Sequence, residues 1–314
     1  MDKTTDRLLN IDCRLAIPTL KPNSIHLCLS DIPYGINLDG WDVLHNNTNS
    51  ALLGQSPAQV GKSGFKRRGK PINGWNEADK KSGKEYENWC STWTEPLYPT
   101  MKKGASVFLF CARRTMHHVI NAMEGSNFLL RDILAWKKPV AHHRAQRLSG
   151  VLAGRELSEQ AEKWEGWRLG NLSPMYEPIA WFFKPYDHTI TDNVLENEVG
   201  ALNIDNNLVN GERPSNILDF WFDKGEKEYH EAQKPVSLLK FLINLTTREN
   251  QVVLDPFMGS GSTCVAAKLT NRKYIGMELD EKYFDIAKMR VEGSNLTYEQ
   301  KEKRATQLAI FEKR

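Results

Sequence analysis

The sequence has only five cysteines, Cys13, Cys28, Cys90, Cys111 and Cys264, and no two of them form a C-x-x-C pair. Scattered and odd in number, they argue against a disulfide frame and a cysteine zinc site, and for reduced thiols. No apolar run is long enough to cross a membrane. The start, Met1 to Arg7, is charged and lacks the apolar core of a signal peptide. The expected setting is the cytoplasm, with no membrane and no metal. There is no internal repeat and no long low-complexity tract. A formal net charge of +3 is too small to argue for nucleic acid by itself.

What is present suits a folded catalytic domain. With 314 residues, 40% of them hydrophobic, the chain can bury a core as one large domain or two modest ones. Short apolar runs predict buried strands at Ile25 to Leu29, Ser106 to Cys111, Ile133 to Trp136, Ile179 to Phe183, Val252 to Leu254 and Tyr274 to Met277. Helices are predicted at Glu85 to Tyr98, Arg114 to Met123, Pro235 to Thr246, Ser262 to Leu269 and Glu281 to Val291. The alternation points to a parallel or mostly parallel sheet covered by helices. Three stretches, 40–84, 139–172 and 185–229, do not read as core. Loops of that length are usually functional or disordered.

Val252-Val253-Leu254 leads into Asp255-Pro256-Phe257-Met258-Gly259-Ser260-Gly261, then a small-residue helix, then a strand ending in Glu278. The glycines permit a sharp turn and close approach to a ligand. The helix start offers free N–H groups. An acid about 20 residues on is placed to accept ribose hydroxyls. The pattern says nucleoside-containing cofactor. No Lys follows the glycines, which argues against a P-loop. The third glycine of a dinucleotide fingerprint is missing, and Asp255 would repel a pyrophosphate. A cationic amine suits Asp255 better, which favours S-adenosylmethionine.

Near the other end, Ile25 to Leu29 leads into Ser30-Asp31-Ile32-Pro33-Tyr34-Gly35. Chemistry at an exocyclic amine needs an acceptor for the N–H groups, a second fixed acceptor and an aromatic face for the extruded base. Asp31, the carbonyl of Ile32 or Pro33, and Tyr34 offer these in four residues. Alone, the tetrapeptide is a common turn; with the cofactor turn it becomes a candidate catalytic site.

The two motifs together resemble the N6-adenine/N4-cytosine DNA amino-methyltransferases, in the circularly permuted, beta-type order with the catalytic motif first. Asp31-Ile32-Pro33-Tyr34 resembles the family's D-P-P-Y, with Ile32 in place of the first proline. Asp255 to Gly261 resembles its D-P-F-x-G-x-G. His230-Glu231-Ala232-Gln233-Lys234-Pro235 resembles its H-P-x-Q-K-P, with Glu231 in place of a proline. Asn10-Ile11-Asp12-Cys13 resembles its G-D-C, and Tyr176-Glu177-Pro178-Ile179 another recurring segment. The resemblance implies a Rossmann-like α/β fold: a seven-stranded mixed sheet with helices on both faces, as one catalytic domain over 1–314. It implies catalytic roles for Asp31, Pro33 and Tyr34. It implies an S-adenosylmethionine site of Asp12, Cys13, Asp31, Lys234, Pro235, Asp255, Pro256, Phe257, Gly259, Ser260, Gly261 and Glu278. An Asp at the first catalytic position goes with adenine N6 in this family, and a Ser with cytosine N4. Duplex DNA is the implied substrate, with a homodimer and a cognate restriction enzyme as further partners.

Local charge suggests where DNA lies. Lys62, Lys66, Arg67, Arg68 and Lys70 form a basic run with no acid, in loop 40–84. Arg131, Lys137, Lys138, His142, His143, Arg144 and Arg147 form a second, running into loop 139–172. Lys66, Arg67, Arg68, Arg144 and Arg147 are the candidate DNA contacts. The segment 185–229, where the family often reads its target, is acidic and predicts repulsion from phosphates. N4-cytosine methylation of DNA, methylation of RNA or of a protein amide, a catalytically silent nucleic-acid-binding partner, and a dehydrogenase are the competing readings.

Overall fold

The computed structural model describes residues 5–34, 77–138, 146–169, 172–223, 226 and 233–294. Lys66, Arg67, Arg68 and Arg144 lie outside the described residues, as do His230 to Ala232 and the terminal Lys301 to Arg314.

In chain order the first half holds β1 (Arg7–Asn10), α1 (Cys13–Ala16), β2 (Ile25–Asp31), α2 (Glu77–Thr100), β3 (Met101–Phe110), α3 (Met116–Gly125) and β4 (Leu129–Lys137). A small outer unit follows: β5 (Gln146–Arg147), α4 (Leu148–Ala153), α5 (Ser158–Lys163) and β6 (Arg168–Leu169). The second half holds β7 (Tyr176–Phe183), α6 (Ile190–Asn197), β8 (Ile217–Leu218), α7 (Val236–Thr246), β9 (Val252–Asp255), α8 (Ser262–Leu269), β10 (Lys273–Glu278) and α9 (Glu281–Gly293).

The main sheet runs β1-β10-β9-β2-β3-β7-β4-β8. The strands from β1 to β3 are parallel; β7 runs antiparallel between β3 and β4. The expected mixed sheet is therefore present, but with eight strands and not seven. The extra one is the edge strand Ile217–Leu218 beside β4, inside the segment 185–229 that does not read as core. Two residues are too few to show a period-two pattern.

Side chains alternate across the sheet. On β3, Phe108 and Phe110 pack with Leu238 and Leu242 of α7 and Ala266 of α8. Val107 and Leu109 turn the other way, toward Trp93 and Leu97 of α2 and Val119 of α3. Both faces are covered, so the central strands read as continuous apolar runs, not as alternating ones. Each large side chain fully buried this way contributes roughly 1.5–3 kcal/mol. The outer unit differs: neither α4 nor α5 buries a residue. It is a surface lobe between β4 and β7, with more helix than the sequence predicts for 139–172.

Candidate active site

Parallel neighbours end on the same edge of a sheet. β2 ends in Asp31, β9 in Asp255 and β10 in Glu278, and Asp12 lies just past β1. The pairing Cys28 opposite Leu254 sets β2 directly beside β9. Residues 31 and 255 thus meet at the carboxyl edge, where open α/β sheets bind ligands. A cavity of about 420 Å³ opens there. Its wall includes Asp12, Cys13, Asp31, Pro33, Lys234, Asp255, Pro256, Phe257, Gly259, Ser260 and Glu278. Pro235 and Gly261 stand behind it, at the N-cap positions of α7 and α8.

The glycine turn is tightly held. Gly261 has φ +83°, and a Cβ there would sit 2.8 Å from the Cβ of Ala287. The amide of Gly259 donates to Glu278 Oε2 at 2.9 Å, and that of Asp280 to Oε1 at 2.9 Å. Arg290 donates to the Ser260 carbonyl at 2.6 Å, to its hydroxyl at 2.7 Å and to Ser262 Oγ at 3.1 Å. The Ser260 hydroxyl is therefore engaged by the protein itself. Asp255 accepts from Ser30 Oγ at 2.6 Å and from the Phe257 amide at 3.1 Å. Burial outweighs these bonds and pushes its carboxyl up to about 7. Burial also raises Glu278.

Asp12 caps α1 and forms a two-pronged ion pair with Arg14, with contacts of 2.5 to 3.0 Å. Arg14 lowers the Asp12 carboxyl. The neighbouring Cys13 thiol is buried and raised to about 12, which makes it a poor nucleophile.

The Asp31 turn sits in a second, denser network. Lys234 Nζ lies 2.5 Å from Asp31 Oδ2 and 3.1 Å from Glu177 Oε1. The Tyr34 hydroxyl lies 2.8 Å from Asp31 Oδ1 and 2.6 Å from Glu177 Oε1. Lys138 lies 2.7 Å from Glu177 Oε2. Tyr86 donates to the Pro33 carbonyl at 2.5 Å, and Thr115 to the Tyr34 carbonyl at 2.8 Å. Burial opposes ionisation of Glu177, but Lys234 and Lys138 outweigh it and hold the carboxyl at about 2. For Asp31 burial wins, and its carboxyl lies above the ordinary range despite Lys234.

Several wall and network residues carry no motif of their own. Trp89 lines the cavity and packs on Phe257, with ring centroids 5.7 Å apart. Only the fold brings α2 to this edge, so spacing offers no signal for it. Glu177 and Gln233 fall within segments that resemble the family, yet neither reads as a site residue from sequence. The amide of Gln233 is buried in the cavity wall, and neither its oxygen nor its nitrogen has a partner among the described residues. Buried polar atoms are normally satisfied, so this one fits a polar ligand.

The DNA-side expectations meet mixed geometry. Arg147 lies in the two-stranded ribbon of the outer lobe, paired in register with Arg168. In the same lobe Trp164 packs edge-on against the exposed Trp167. In the acidic segment, Asp187 pairs with Lys103, Asp219 with Lys137, Glu198 with Arg248 and Asp205 with Arg213. Part of its negative charge is therefore compensated inside the protein, which weakens the repulsion that composition predicts.

Comparisons with known proteins identify the family and the fold. The family model described as DNA methylase matches residues 25–289. The chain is 47% identical over 307 residues to the type II methyltransferase M.HindIII of Haemophilus influenzae, covering 95% of this chain and 99% of that one. It is 24% identical over 286 residues to M.HinfI of Haemophilus influenzae, covering 90% and 67%. Among solved structures it resembles the cytosine-N4-specific PvuII DNA methyltransferase, with a TM-score of 0.58, 16% identity and coverage of 93% and 88%. It also resembles M1.HpyAVI in its SAM complex, with a TM-score of 0.51, 18% identity and coverage of 91% and 98%. These two likenesses concern the fold.

Proposed function

The chain belongs to the DNA methylase family, and from that membership we propose that it methylates the N6 amine of adenine in duplex DNA. The observation that carries this reading is the meeting of Asp31 and Asp255 in one cavity, joined through Ser30.

S-adenosylmethionine, when bound, supplies an electrophilic methyl group on a sulfonium centre. The residues present suit it. Asp255 is a buried acid that gains from a cationic amine. Glu278 keeps a lone pair on each oxygen for ribose hydroxyls, since each accepts one backbone amide. The Gln233 amide, without a partner among the described residues, offers both a donor and an acceptor. Phe257 and Trp89 give the cavity an apolar wall for a purine.

The base side follows from the catalytic turn. The target adenine leaves the duplex stack at a cost of a few kcal/mol. Stacking on Tyr34 returns about 1–3 kcal/mol of that. Asp31 accepts one N–H of the amine and turns the nitrogen lone pair toward the methyl donor. The second acceptor is the carbonyl of Ile32 or of Pro33; Tyr86 donates to the latter, which keeps a second lone pair. Transfer would form a nitrogen–methyl bond at the expense of the cofactor's sulfur–methyl bond and release one amine proton; Asp31 would face the positive charge that develops on nitrogen before that proton leaves. Loops 40–84 and 139–172 grip the phosphates through Lys66, Arg67, Arg68, Arg144 and Arg147. The segment 185–229 contributes to recognition at the sheet edge. A homodimer and a cognate restriction enzyme complete the reading; the type II names of the relatives support the latter.

The test is direct. The protein is incubated with duplex DNA and methyl-labelled S-adenosylmethionine, the DNA is digested, and the labelled nucleoside is identified. N6-methyl-2′-deoxyadenosine is expected. Label in N4-methyl-2′-deoxycytidine would reassign the base, and no labelled nucleoside would refute the activity.

A further inference from the structure

Both carboxylate oxygens of Asp31 are engaged in this structure. Tyr34 holds Oδ1 and Lys234 holds Oδ2. An incoming amine finds a second lone pair on each oxygen, so it shares Asp31 with these donors or displaces one of them. Lys234 is the pressing case, because an ammonium beside Asp31 opposes the positive charge that methyl transfer builds on nitrogen. The side chain of Lys234 is only 5% exposed, so water cannot receive it. A buried ammonium without a partner is strongly disfavoured. One acceptor is already in reach: Glu177 Oε1, 3.1 Å from Lys234 and 2.6 Å from the Tyr34 hydroxyl.

We propose that Glu177 is a positioning residue for methyl transfer, the counter-ion that keeps Lys234 and Tyr34 when the target amine takes their place on Asp31. No proton is gained or lost in the exchange. An N–H of the amine replaces an N–H of Lys234 at Asp31, and Lys234 retains its bond to Glu177. Lys138, on the far oxygen of Glu177, balances the cluster at two acids and two ammonium groups. Among the described residues, the other titratable groups facing it are Cys111 on the β3 side and Asp255 on β9. This inference rests on the reading that Asp31 accepts the amine.

The test compares Glu177→Gln, Glu177→Asp and Lys138→Met in the full chain, with Asp31→Asn alongside. In Glu177→Gln, Lys234 stays on Asp31, so kcat falls roughly 100-fold, the loss expected when a reacting group is misplaced. The KM for S-adenosylmethionine stays near the parent value. Glu177→Asp restores part of kcat. The acidic limb of the kcat profile moves to lower pH in Glu177→Gln, where a negative neighbour of Asp31 is lost. It moves to higher pH in Lys138→Met, where a positive one is lost. If Glu177→Gln does not fold, the shift in Lys138→Met still decides the matter. Parent-like kcat in Glu177→Gln, or an unmoved acidic limb in Lys138→Met, overturns the proposal. Activity retained by Asp31→Asn would overturn the reading beneath it instead.

Discussion

Ser30 donates its hydroxyl to Oδ1 of Asp255 at 2.6 Å, so the residue before the catalytic acid holds the acid of the cofactor turn. The two residues are far apart in the chain and meet because β2 and β9 are parallel neighbours. The bond ties the geometry of one half-site to the charge state of the other.

That charge state predicts a pH dependence of cofactor binding. With its carboxyl at about 7, Asp255 is mostly protonated below neutrality when no cofactor is present. A cationic ligand favours the ionised form, so binding should strengthen as pH rises through 7. Below that value affinity should fall by up to about tenfold per pH unit. Calorimetric titration with S-adenosylmethionine from pH 5.5 to 8.5 measures it, with Asp255→Asn expected to bind weakly and without this slope. The sign for stability is opposite. A raised folded-state carboxyl contributes fully below the ordinary aspartate range and loses that contribution as pH rises to 7.

Asp31→Ala should abolish methyl transfer while leaving cofactor affinity nearly intact, because Ser30 and the Phe257 amide hold Asp255, the Gly259 amide holds Glu278, and none of these bonds comes from the Asp31 side chain. Methyl incorporation into DNA and cofactor titration, run on the same preparation, separate the two. Methylated DNA from the variant would sink the catalytic assignment.

Arg290 holds both oxygens of Ser260 and the hydroxyl of Ser262. Hydrogen bonds from a charged donor contribute about 1.5–3 kcal/mol each. Arg290→Met should loosen the turn and weaken cofactor binding about tenfold, the equivalent of about 1.4 kcal/mol. An unchanged Kd would mean that the turn is rigid without it.

Gly261→Ala should destabilise the protein more than an ordinary surface change. The left-handed backbone alone costs a side chain roughly 1–2 kcal/mol, and the added Cβ meets that of Ala287. Thermal unfolding should show a Tm lower by several degrees, and saturating cofactor should recover only part of it.

Charge reversal at Arg67 and Arg68 should weaken DNA binding and flatten its salt dependence, by roughly 0.9 in log–log slope for each phosphate no longer neutralised. Binding measured across salt concentrations checks this. An unchanged slope would move the phosphate grip to the lobe of Arg147 or to the segment 185–229.

The sequence by itself determined the chemistry-bearing turns. Asp31 to Tyr34 and Asp255 to Gly261 are contiguous, and each follows an apolar run that reads as a strand end, so their roles survive in one dimension. The five predicted helices and the six apolar strands are legible for the same reason, though α2 begins at Glu77, inside the stretch 40–84 that does not read as core, and β3 at Met101. Short elements are not. Arg7–Asn10 and Ile217–Leu218 hold too few residues for a period to appear, so the sheet has two strands more than the six apolar runs predict, and one more than the resemblance implies. Tertiary structure alone decided what surrounds the turns. Trp89 and Tyr86 come from α2, Lys138 from the end of β4 and Glu177 from the start of β7, and no spacing rule links them to Asp31. Their roles depend on which strands pair, and pairing is set by how both faces of the sheet bury their side chains, a property of the whole chain. The charge of the segment 185–229 shows the same limit. Composition counts its acids, but only the fold shows that Asp187, Glu198 and Asp219 find cations on other elements.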